Sequence, residues 1–305
     1  MRSLLIGGNG LLGYELLGQL AALGEVVATT SSGRLADGGA CETLDLRGTA
    51  DLRAMVAASA AEIVINAAAY TDVDRAESER DTAFAVNATA PGVIAEACAL
   101  QGVPLVHFST DYVFPGTGVR PLLEDDPTEP CNAYGASKLA GEQAVRASGA
   151  RCKIFRLCWL YGTRRKNFLL TALRLATEHD ELRVVADQVG CPTPAAWIAK
   201  AVVRAVTTRP ELSGTWHLAA SGSTTWHAFA EATVEEGHRL GLLARRPAVR
   251  AITTAEYPTL AVRPAYTVFD CGRMEQDFGV RLPEWRSGVI EVVREIPRSK
   301  SARVS

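Results

Sequence analysis

Tyr134 and Lys138, four residues apart in the segment YGASK, are the two side chains of this sequence best suited to proton transfer. On a helix, residues four apart share a face. A free phenol has a pKa of about 10 and is a poor acid–base catalyst at neutral pH, but a nearby ammonium stabilises the phenolate and lowers that pKa. The spacing therefore predicts a proton-transfer pair in which Lys138 lowers the pKa of Tyr134 and can also hold the ribose of a cofactor.

A second polar group follows the apolar run at residues 105–109, in the segment STDY. The Thr110 hydroxyl could donate to a carbonyl oxygen and stabilise a developing alkoxide, as in an oxyanion hole. Alternate side chains of a strand point in opposite directions, so only one of Ser109 and Thr110 can face the cleft, and Ser109 remains the competing candidate. We expect Asp111 and Tyr112 to contact substrate hydroxyls. Taken alone, Ser-Thr-Asp is also typical of a helix cap.

Three glycines near the start of the chain predict a cradle for a dinucleotide. Gly7, Gly10 and Gly13 lie between an apolar run at residues 4–6 and an amphipathic stretch at residues 11–23. Between a strand and a helix, glycines allow a tight turn and a close approach of the pyrophosphate to the backbone, and the helix start binds phosphate. The spacing G-x-x-G-x-x-G differs from the commoner G-x-G-x-x-G, and an ordinary tight turn is the alternative.

The residues after the second apolar run bear on the choice of cofactor. An acidic residue there binds the ribose hydroxyls of NAD(H), whereas an arginine accommodates the 2′-phosphate of NADP(H). Residues 28–34 read ATTSSGR and contain no carboxylate. Ser31 can donate a hydrogen bond and Arg34 can pair with a phosphate, so the sequence favours NADP(H), with NAD(H) possible. The alternative is that Arg34 is a solvated loop residue.

Two further segments lie where a nucleotide would be expected. Asp45 and Leu46 follow a third short apolar patch and could flank adenine. Another apolar run ends in small side chains, which let a nucleotide approach the backbone at the carboxyl edge of a sheet: Ala67, Ala68 and Ala69. Ordinary packing of small residues would explain the same alanines.

The pattern around these residues predicts an α/β fold. Apolar runs at residues 4–6, 26–29, 63–66, 105–109 and 154–159 alternate with amphipathic stretches at residues 11–23, 50–58, 82–100 and 134–148. Continuous apolar strands that alternate with helices indicate a parallel sheet covered on both faces. Right-handed crossovers then make it a doubly wound, Rossmann-type sheet.

The second half of the chain predicts a smaller, interleaved lobe. Strands are expected at residues 183–186 and 215–219, and helices at 195–206, 225–240 and 286–295. We expect residues 1–160 to form the dinucleotide-binding domain, which also receives parts of about residues 187–220. Residues 161–300 would form most of a C-terminal substrate-binding lobe, with the substrate in the cleft between the two. The polar tail from Pro297 is expected to be frayed.

Composition and charge argue against several classes of protein. The 305 residues are 48% hydrophobic and 22% charged, as in globular proteins. A net charge of -2 without a block of like charges argues against nucleic acid or an anionic membrane as a partner. The first residues, an apolar run interrupted by glycines, are expected to form a strand and not a signal peptide. No apolar run is expected to approach the roughly 20 residues that span a bilayer. Seven cysteines without C-x-x-C spacing indicate free thiols in a reducing cytoplasm, and the histidines form no zinc cluster with them.

With these motifs together, the chain resembles the extended short-chain dehydrogenase/reductases and, more narrowly, the dTDP-4-dehydrorhamnose reductase family. The matching segments run nearly end to end: GGNGLLG (7–13), NAAAYTDVDRAE (66–77), VNATAP (86–91), STDYVFPG (109–116), YGASKLAGE (134–142), RLCWLYG (156–162), NF (167–168), DQVGCPT (187–193) and RP (263–264). STDYVF followed by YGxSKLxGE is narrower than the signature of the superfamily.

The resemblance implies roles for individual residues. Tyr134 would be the proton donor, Lys138 its partner and Thr110 the third catalytic residue, and Tyr134 and Lys138 would also touch the cofactor. Positions that contact the nucleotide-sugar match Asp111, Tyr112 and Trp159. Positions that bind or support the cofactor site match Gly10, Leu11, Leu12, Asp45, Leu46, Ala68, Ala69, Tyr70 and Asn87.

Three departures or ambiguities accompany the resemblance. The family commonly has Arg-Pro-x-Asn-Ser where this chain reads RPAYT from Arg263, and this departure near the substrate is the ground for considering another sugar or another stereochemistry. Some members place Mg²⁺ at a dimer interface; Glu15 and Glu295 match two of its ligands, but Ala196 matches the third, which makes a metal-bridged dimer doubtful. The basic segment RRK at residues 164–166 could meet the substrate diphosphate or could be a solvated loop.

The resemblance implies reduction of the 4-keto group of a dTDP-4-keto-6-deoxyhexose with NAD(P)H, most directly dTDP-4-dehydrorhamnose to dTDP-L-rhamnose. Two alternatives remain: a related deoxysugar 4-ketoreductase of a specialised pathway, and a non-catalytic regulatory subunit that binds NADP. Intact Thr110, Tyr134 and Lys138 argue against the second. The chain would be a monomer or a homodimer.

Overall fold

The structure is a computed structural model that describes residues 1–296. Within that range the strands are β1 (Ser3–Ile6), β2 (Val26–Thr30), β3 (Glu42–Thr43), β4 (Ile63–Asn66), β5 (Leu105–Thr110), β6 (Cys152–Leu157), β7 (Leu160–Tyr161), β8 (Glu181–Val185), β9 (Val189–Gly190), β10 (Thr193–Pro194), β11 (Gly214–Leu218), β12 (Thr224–Thr225) and β13 (Ala248–Ile252).

The helices are α1 (Leu11–Ala21), α2 (Thr49–Ala58), α3 (Arg75–Ser78), α4 (Arg80–Phe84), α5 (Ala90–Gln101), α6 (Ala133–Ala147), α7 (Phe168–Glu178), α8 (Ala195–Thr208), α9 (Trp226–Arg239), α10 (Gly272–Phe278) and α11 (Trp285–Glu295). A π-helical turn, Ala85–Thr89, joins α4 to α5, and 3₁₀ turns occupy Asp111–Val113 and Thr254–Glu256.

A seven-stranded sheet in the order β11-β6-β5-β4-β1-β2-β3 forms the centre of the fold. All neighbouring strands in it are parallel. The order reverses between β1 and β4, and the crevice at the carboxyl ends of strands on either side of such a point is where doubly wound sheets bind ligands. The predicted Rossmann-type fold is confirmed.

Two apolar layers explain why the strands read as unbroken apolar runs. Every residue of β1, β4 and β5 is buried. One face of the sheet packs on α1 and α8 through residues such as Leu16 and Val202. The other face packs on α2 and α5, with Leu52 and Ile94 in the same cluster. A strand covered on both faces has no reason to alternate apolar with polar residues.

The strands and helices predicted for the first half occur within a few residues of their expected bounds. The strand predicted at residues 154–159 corresponds to β6. It ends at Leu157, not at residue 159, because Trp159 takes a left-handed backbone conformation with φ of 43°. The predicted helix at residues 82–100 is interrupted by the π-helical turn. Helices α3, α7 and α10 and strands β3, β7, β9, β10, β12 and β13 were not predicted. All of these strands except β13 are two residues long, and the β13 segment carries the arginine of AVRAI among exposed positions.

The second half contributes both to the sheet and to a separate group of elements. Strand β11 pairs with β6 at the edge of the sheet, and α8 packs on α1. Helices α7, α9 and α11 share a different apolar cluster that includes Leu169, Phe229 and Val293. A division into a cofactor lobe and a substrate lobe stays a prediction, and the tail from Pro297 lies outside the described residues.

One helical stretch is long and apolar enough to cross a membrane by length and composition alone, Arg80–Gln101. The expectation that no apolar run approaches such a length is therefore wrong, because α4, the π-helical turn and α5 continue one another. In this structure 56% of the apolar window is buried, and residues such as Val93 and Ile94 pack against the sheet and α2. The stretch is thus a core helix of the fold.

Candidate active site

The glycine-rich turn lies between β1 and α1. Gly7 has φ of 90°, and a Cβ there would approach Ala68 to 2.8 Å. A Cβ on Gly13 would lie 2.0 Å from the carbonyl oxygen of Gly7. Both positions therefore require glycine, the first for its backbone conformation and the second for the close approach of α1 to the turn.

The start of α1 offers N–H groups to a phosphate. The first helical bond runs from Tyr14 N to the Gly10 carbonyl at 3.1 Å, so the N–H groups of the preceding positions point out of the helix end: Leu11, Leu12 and Gly13. Beside them, Asn9 donates from Nδ2 to the Arg34 carbonyl, while its Oδ1 is buried without a partner among residues 1–296. These groups fit a bound dinucleotide phosphate.

The loop after β2 is held by its own polar side chains. Thr30 Oγ1 accepts from the Arg34 N–H at 3.2 Å and lies 3.3 Å from Ser32 Oγ. The side chains of Ser31 and Arg34 are exposed, next to the glycine-rich turn that Asn9 joins to this loop. The exposed guanidinium is free to meet an anion at the end of β2.

Asp45 and Leu46 follow β3 and differ in environment. Leu46 is buried in the core cluster beside Leu44. Asp45 is exposed and pairs with Arg47 at 2.6 Å; these hydrogen bonds lower the pKa of its carboxyl to about 2. Asp45 is therefore ionised at neutral pH.

The segment after β4 is fixed by Asn87. Asn87 lies in the π-helical turn and is fully buried. Its Oδ1 accepts from the Tyr70 N–H at 2.9 Å, and its Nδ2 donates to the Tyr70 carbonyl at 3.0 Å and to Ser137 Oγ at 3.0 Å. One side chain thus joins the loop of Ala67, Ala68 and Ala69 to helix α6.

Tyr134 occupies the first turn of α6. The cap of this helix is Asn132, whose side chain accepts from the Gly135 N–H at 2.7 Å. The Tyr134 ring packs edge-on against Tyr112, with 5.7 Å between ring centroids. Burial raises the pKa of Tyr134 to about 12, while the Thr110 hydroxyl opposes the shift. The phenol is therefore protonated at neutral pH, which is the reverse of the lowered pKa that the sequence predicts.

Lys138 lies one turn further along α6 and is 3% exposed. Its Nζ donates to the Phe108 carbonyl at 2.6 Å. Burial lowers the pKa of Lys138 to about 8, and the Glu142 carboxylate one turn further opposes that shift. The ammonium is bound to the backbone of β5 and is not paired with the phenol, which explains why burial decides the pKa of Tyr134.

Thr110 ends β5 and caps the 3₁₀ turn that follows. Its Oγ1 accepts from the Tyr112 N–H at 3.2 Å and donates to Asp111 Oδ1 at 3.0 Å. Ser109 precedes Thr110 in β5, so its side chain points to the other face of the sheet; its hydroxyl is buried without a hydrogen-bond partner among residues 1–296. Of the two competing hydroxyls, the one close to the Tyr134 phenol is Thr110.

A cleft of about 870 Å³ opens beside these residues. Its lining includes Asp74 and Tyr112 from the sheet side and Phe168 and Trp226 from helices α7 and α9. Arg263 also lines it, donating to Asp74 Oδ2 at 2.7 Å. The volume is in the range of small-molecule sites.

A sequence model described as the RmlD substrate binding domain matches residues 1–297. The chain belongs to this family.

Relatives named dTDP-4-dehydrorhamnose reductase match nearly the whole chain. A dTDP-4-dehydrorhamnose reductase of Burkholderia thailandensis is 42% identical over 97% of this chain and 99% of that protein. Among solved structures, the Clostridium acetobutylicum dTDP-4-dehydrorhamnose reductase is 34% identical with a TM-score of 0.88, over 96% of this chain and 99% of that one. The Bacillus anthracis dTDP-4-dehydrorhamnose reductase in complex with NADP is 33% identical with a TM-score of 0.88 and the same coverage.

Trp159 and Asp111, two expected substrate contacts, both have close partners within the protein. Trp159 stacks on Trp226 with 3.5 Å between ring centroids, and the backbone of Gly190 lies against its ring; Trp226 is the indole that lines the cleft. Asp111 is 3% exposed, and its carboxylate accepts bonds from Thr110 and Cys158. Each oxygen thus already accepts one bond inside the protein, and a contact of Asp111 with sugar hydroxyls stays a prediction.

The three basic residues at positions 164–166 each have different neighbours. Arg164 lies over the Tyr14 ring, 4.1 Å from its centroid. Arg165 donates from Nε to the Asn9 carbonyl at 2.7 Å, at the glycine-rich turn. Lys166 lines the cleft. The sequence allows either a diphosphate contact or a solvated loop for this segment. No local pattern in it indicates that Arg165 binds the glycine-rich turn.

The Mg²⁺ site of some RmlD family members does not fit these residues. Glu15 has a raised pKa, chiefly from burial and also from Glu295, and the cations Arg164 and Lys200 lie close enough to oppose the shift. Within residues 1–296, no group of three or more His, Cys, Asp or Glu side chains could hold a metal ion. Ala196 leaves the third ligand position without an oxygen donor.

Proposed function

We propose that this protein reduces the 4-keto group of a dTDP-4-keto-6-deoxyhexose with NADPH, most directly dTDP-4-dehydrorhamnose to dTDP-L-rhamnose. The observation that carries the proposal is the position of Tyr134. Its protonated phenol lies beside Thr110 and one turn from Lys138, at the carboxyl edge of the sheet. The names of the full-length relatives support the same reaction.

The glycine-rich turn and the α1 N-terminus would hold the cofactor diphosphate, through Gly7, Gly10, Leu11, Leu12 and Gly13. Ser31 and Arg34 would bind the 2′-phosphate of NADP(H). Asp45, Leu46 and the loop of Ala67, Ala68, Ala69 and Tyr70, held by Asn87, would flank the rest of the dinucleotide, and NAD(H) remains possible in the same place. When bound, a reduced nicotinamide supplies hydride to the carbonyl carbon.

The protein's own residues would manage the proton. Tyr134 donates its phenolic proton to the carbonyl oxygen, since with a pKa of about 12 the phenol is fully protonated at neutral pH. The Lys138 ammonium, charged below a pH of about 8, would stabilise the remaining phenolate by its charge from one helical turn away, without a direct bond to it. Thr110 orients the carbonyl oxygen toward the phenol.

The cleft would hold the nucleotide-sugar. Tyr112 packs against Tyr134 and lines the cleft, so it can place a sugar ring near the phenol. Aromatic faces at Phe168 and Trp226 suit a base or a sugar, and the cations Lys166 and Arg263 suit a diphosphate. Trp159 would act by fixing Trp226.

The cellular setting is part of the same proposal. All seven cysteines are free thiols, as in proteins of a reducing compartment, so we place the protein in the cytoplasm as a monomer or a homodimer. The net charge of -2 gives no attraction to nucleic acid or anionic membrane.

Purified protein mixed with dTDP-4-dehydrorhamnose should oxidise NADPH and yield dTDP-L-rhamnose, measured by nicotinamide absorbance and by identification of the product sugar. Formation of the C4 epimer would instead favour a specialised deoxysugar pathway, for which Tyr266 and Thr267 in place of the family's Asn-Ser are the motivating departure. Bound NADPH that is not oxidised with any dTDP-4-keto sugar would refute the reductase and leave the regulatory subunit.

Arg34→Ala tests the choice of cofactor. We expect the Kd for NADPH to rise by about tenfold or more, since a charge-assisted hydrogen bond to phosphate contributes roughly 1.5–3 kcal/mol. The Kd for NADH should stay within about twofold. Arg53→Ala is the matched control, because Arg53 is exposed and pairs with Glu96, which has no proposed part in cofactor binding. Equal effects on both cofactors would show that Arg34 does not read the 2′-phosphate.

A further inference from the structure

The Asp111 carboxylate next to Thr110 is buried and bound on both oxygens. Its Oδ1 accepts from the Thr110 hydroxyl at 3.0 Å, and its Oδ2 accepts from Cys158 Sγ at 3.4 Å. Asp111 is 3% exposed and Cys158 is fully buried. The carboxylate therefore lies between a catalytic candidate and a thiol that the proposed reaction does not use.

The direction of the Cys158 thiol is set by its neighbours. Its sulfur accepts the Cys191 N–H at 3.2 Å, which leaves the S–H to be donated. The Thr267 carbonyl and hydroxyl lie 3.7 and 3.8 Å away from the sulfur, against 3.4 Å for the Asp111 oxygen. The ionised carboxylate is the stronger acceptor of the three.

No cation is among the groups that face Asp111 within residues 1–296. They are the hydroxyls of Thr110 and Thr267, the thiol of Cys158 and, further out, Cys191 and the phenols of Tyr112 and Tyr134. Of the cations, Arg263 lies over the Tyr112 ring, 6.0 Å from its centroid, and already pairs with Asp74. Burial without a cation raises the pKa of Asp111 to about 6, although Thr267, Thr110 and Cys158 oppose the shift.

Thr110 has one hydroxyl proton, and that proton cannot serve two acceptors. While Asp111 is ionised, Thr110 donates to it and can offer only a lone pair to the substrate side. When Asp111 is protonated, its own O–H can donate to Thr110 Oγ1, and the Thr110 proton is released toward a ketone oxygen. No bond other than the O–H of the carboxyl changes, and solvent supplies that proton.

We propose that Asp111, held by Cys158, is a positioning residue that sets the direction in which the Thr110 hydroxyl points. The inference rests on the proposed function for its kinetic consequence, but the Cys158–Asp111 contact can be tested without substrate. In this role Asp111 acts through Thr110.

The test compares Cys158→Ala with Cys158→Ser. Alanine removes the donor to Asp111 Oδ2 and destabilises the ionised carboxylate, so Asp111 should titrate about one pH unit higher. Serine keeps a donor and should titrate near the wild-type value. Infrared titration of the buried carboxyl band measures this directly, with Asp111→Asn to assign the band. Thr267→Val removes another hydroxyl donor and should also raise the pH at which Asp111 titrates. It replaces Cys158→Ala in the test if the alanine variant fails to fold.

The kinetic arm follows kcat/KM for the keto sugar against pH. Wild type should gain activity as the pH falls through about 6, and the inflection should move up by about one unit in Cys158→Ala but not in Cys158→Ser. A purely structural role for Cys158 would lower activity equally at every pH and would overturn the proposal, as would an Asp111 band that does not move. If the band moves but no sugar is reduced, the proposed function fails and the contact stands. If the band moves while the kinetic inflection does not, control of Thr110 is refuted.

Discussion

Tyr134→Phe should lower kcat for reduction of the keto sugar by roughly 10²–10⁴-fold, the usual contribution of a positioned general acid. The ring remains and keeps its edge-on packing against Tyr112, so only the donated proton is lost. The Kd for NADPH should stay within about twofold, because the glycine-rich turn and the α1 N-terminus are untouched. Single-turnover kinetics with cofactor titration by fluorescence measures both quantities.

Tyr112→Phe is the matched control for that prediction. Tyr112 is the neighbouring phenol, lines the cleft and has no proposed part in proton transfer. We expect it to raise KM with kcat within about fivefold, the pattern of a lost binding contact. Loss of kcat in Tyr112→Phe with normal turnover in Tyr134→Phe would exchange the two roles and refute the assignment of the proton donor.

The parts of the site that lie within one element could be predicted from the sequence. The i, i+4 spacing of Tyr134 and Lys138 places both on the same face of α6, and the glycines of residues 7–13 are required by a turn that they form themselves. Each of these needs only local geometry. The parallel sheet could also be predicted, because each strand buried on both faces is an unbroken apolar run in its own segment.

Properties that depend on distant segments could not be predicted. The pKa of Tyr134 is raised because the phenol is buried and Lys138 is bound to the Phe108 carbonyl, and spacing along a helix does not reveal burial. Arg263 reaches Asp74 across 189 residues of sequence. Trp226 lines the cleft because Trp159 supports it, and a single tryptophan in a helix pattern carries no signal for that stacking.

Glu142→Gln should destabilise the protein by about 3–5 kcal/mol, the cost of removing one partner of a buried ion pair. The Glu142 side chain is 0% exposed and that of Arg156 is 3% exposed. Arg156 donates from Nε to Oε1 and from Nη2 to Oε2, both at 2.8 Å. Glutamine keeps the shape but leaves the guanidinium of Arg156 buried without its countercharge. Urea denaturation of both proteins at neutral pH measures the difference.

Arg146→Ala is the control for this stability prediction. Arg146 binds the same Glu142 Oε2 at 2.6 Å, but its side chain is 42% exposed, so its loss should cost less than about 1 kcal/mol. Equal destabilisation by both variants would mean that burial of the Arg156 pair does not decide the cost.

The pH dependence of the Glu142→Gln effect provides a second check. Burial alone would raise the pKa of Glu142, but its bonds with Arg156 hold that pKa below the ordinary value of 4.5. A carboxyl with a lowered folded-state pKa contributes stability above its unfolded pKa and loses it as the pH falls through the folded value. The gap in stability between wild type and Glu142→Gln should therefore be complete above a pH of about 4.5 and shrink below it. The Glu142–Arg156 ion pair joins α6 to β6, and α6 carries Tyr134 and Lys138. Ionised Glu142 also favours the charged form of Lys138. A stability difference that does not change with pH would therefore argue against ionised Glu142 in the folded protein and against this support of Lys138.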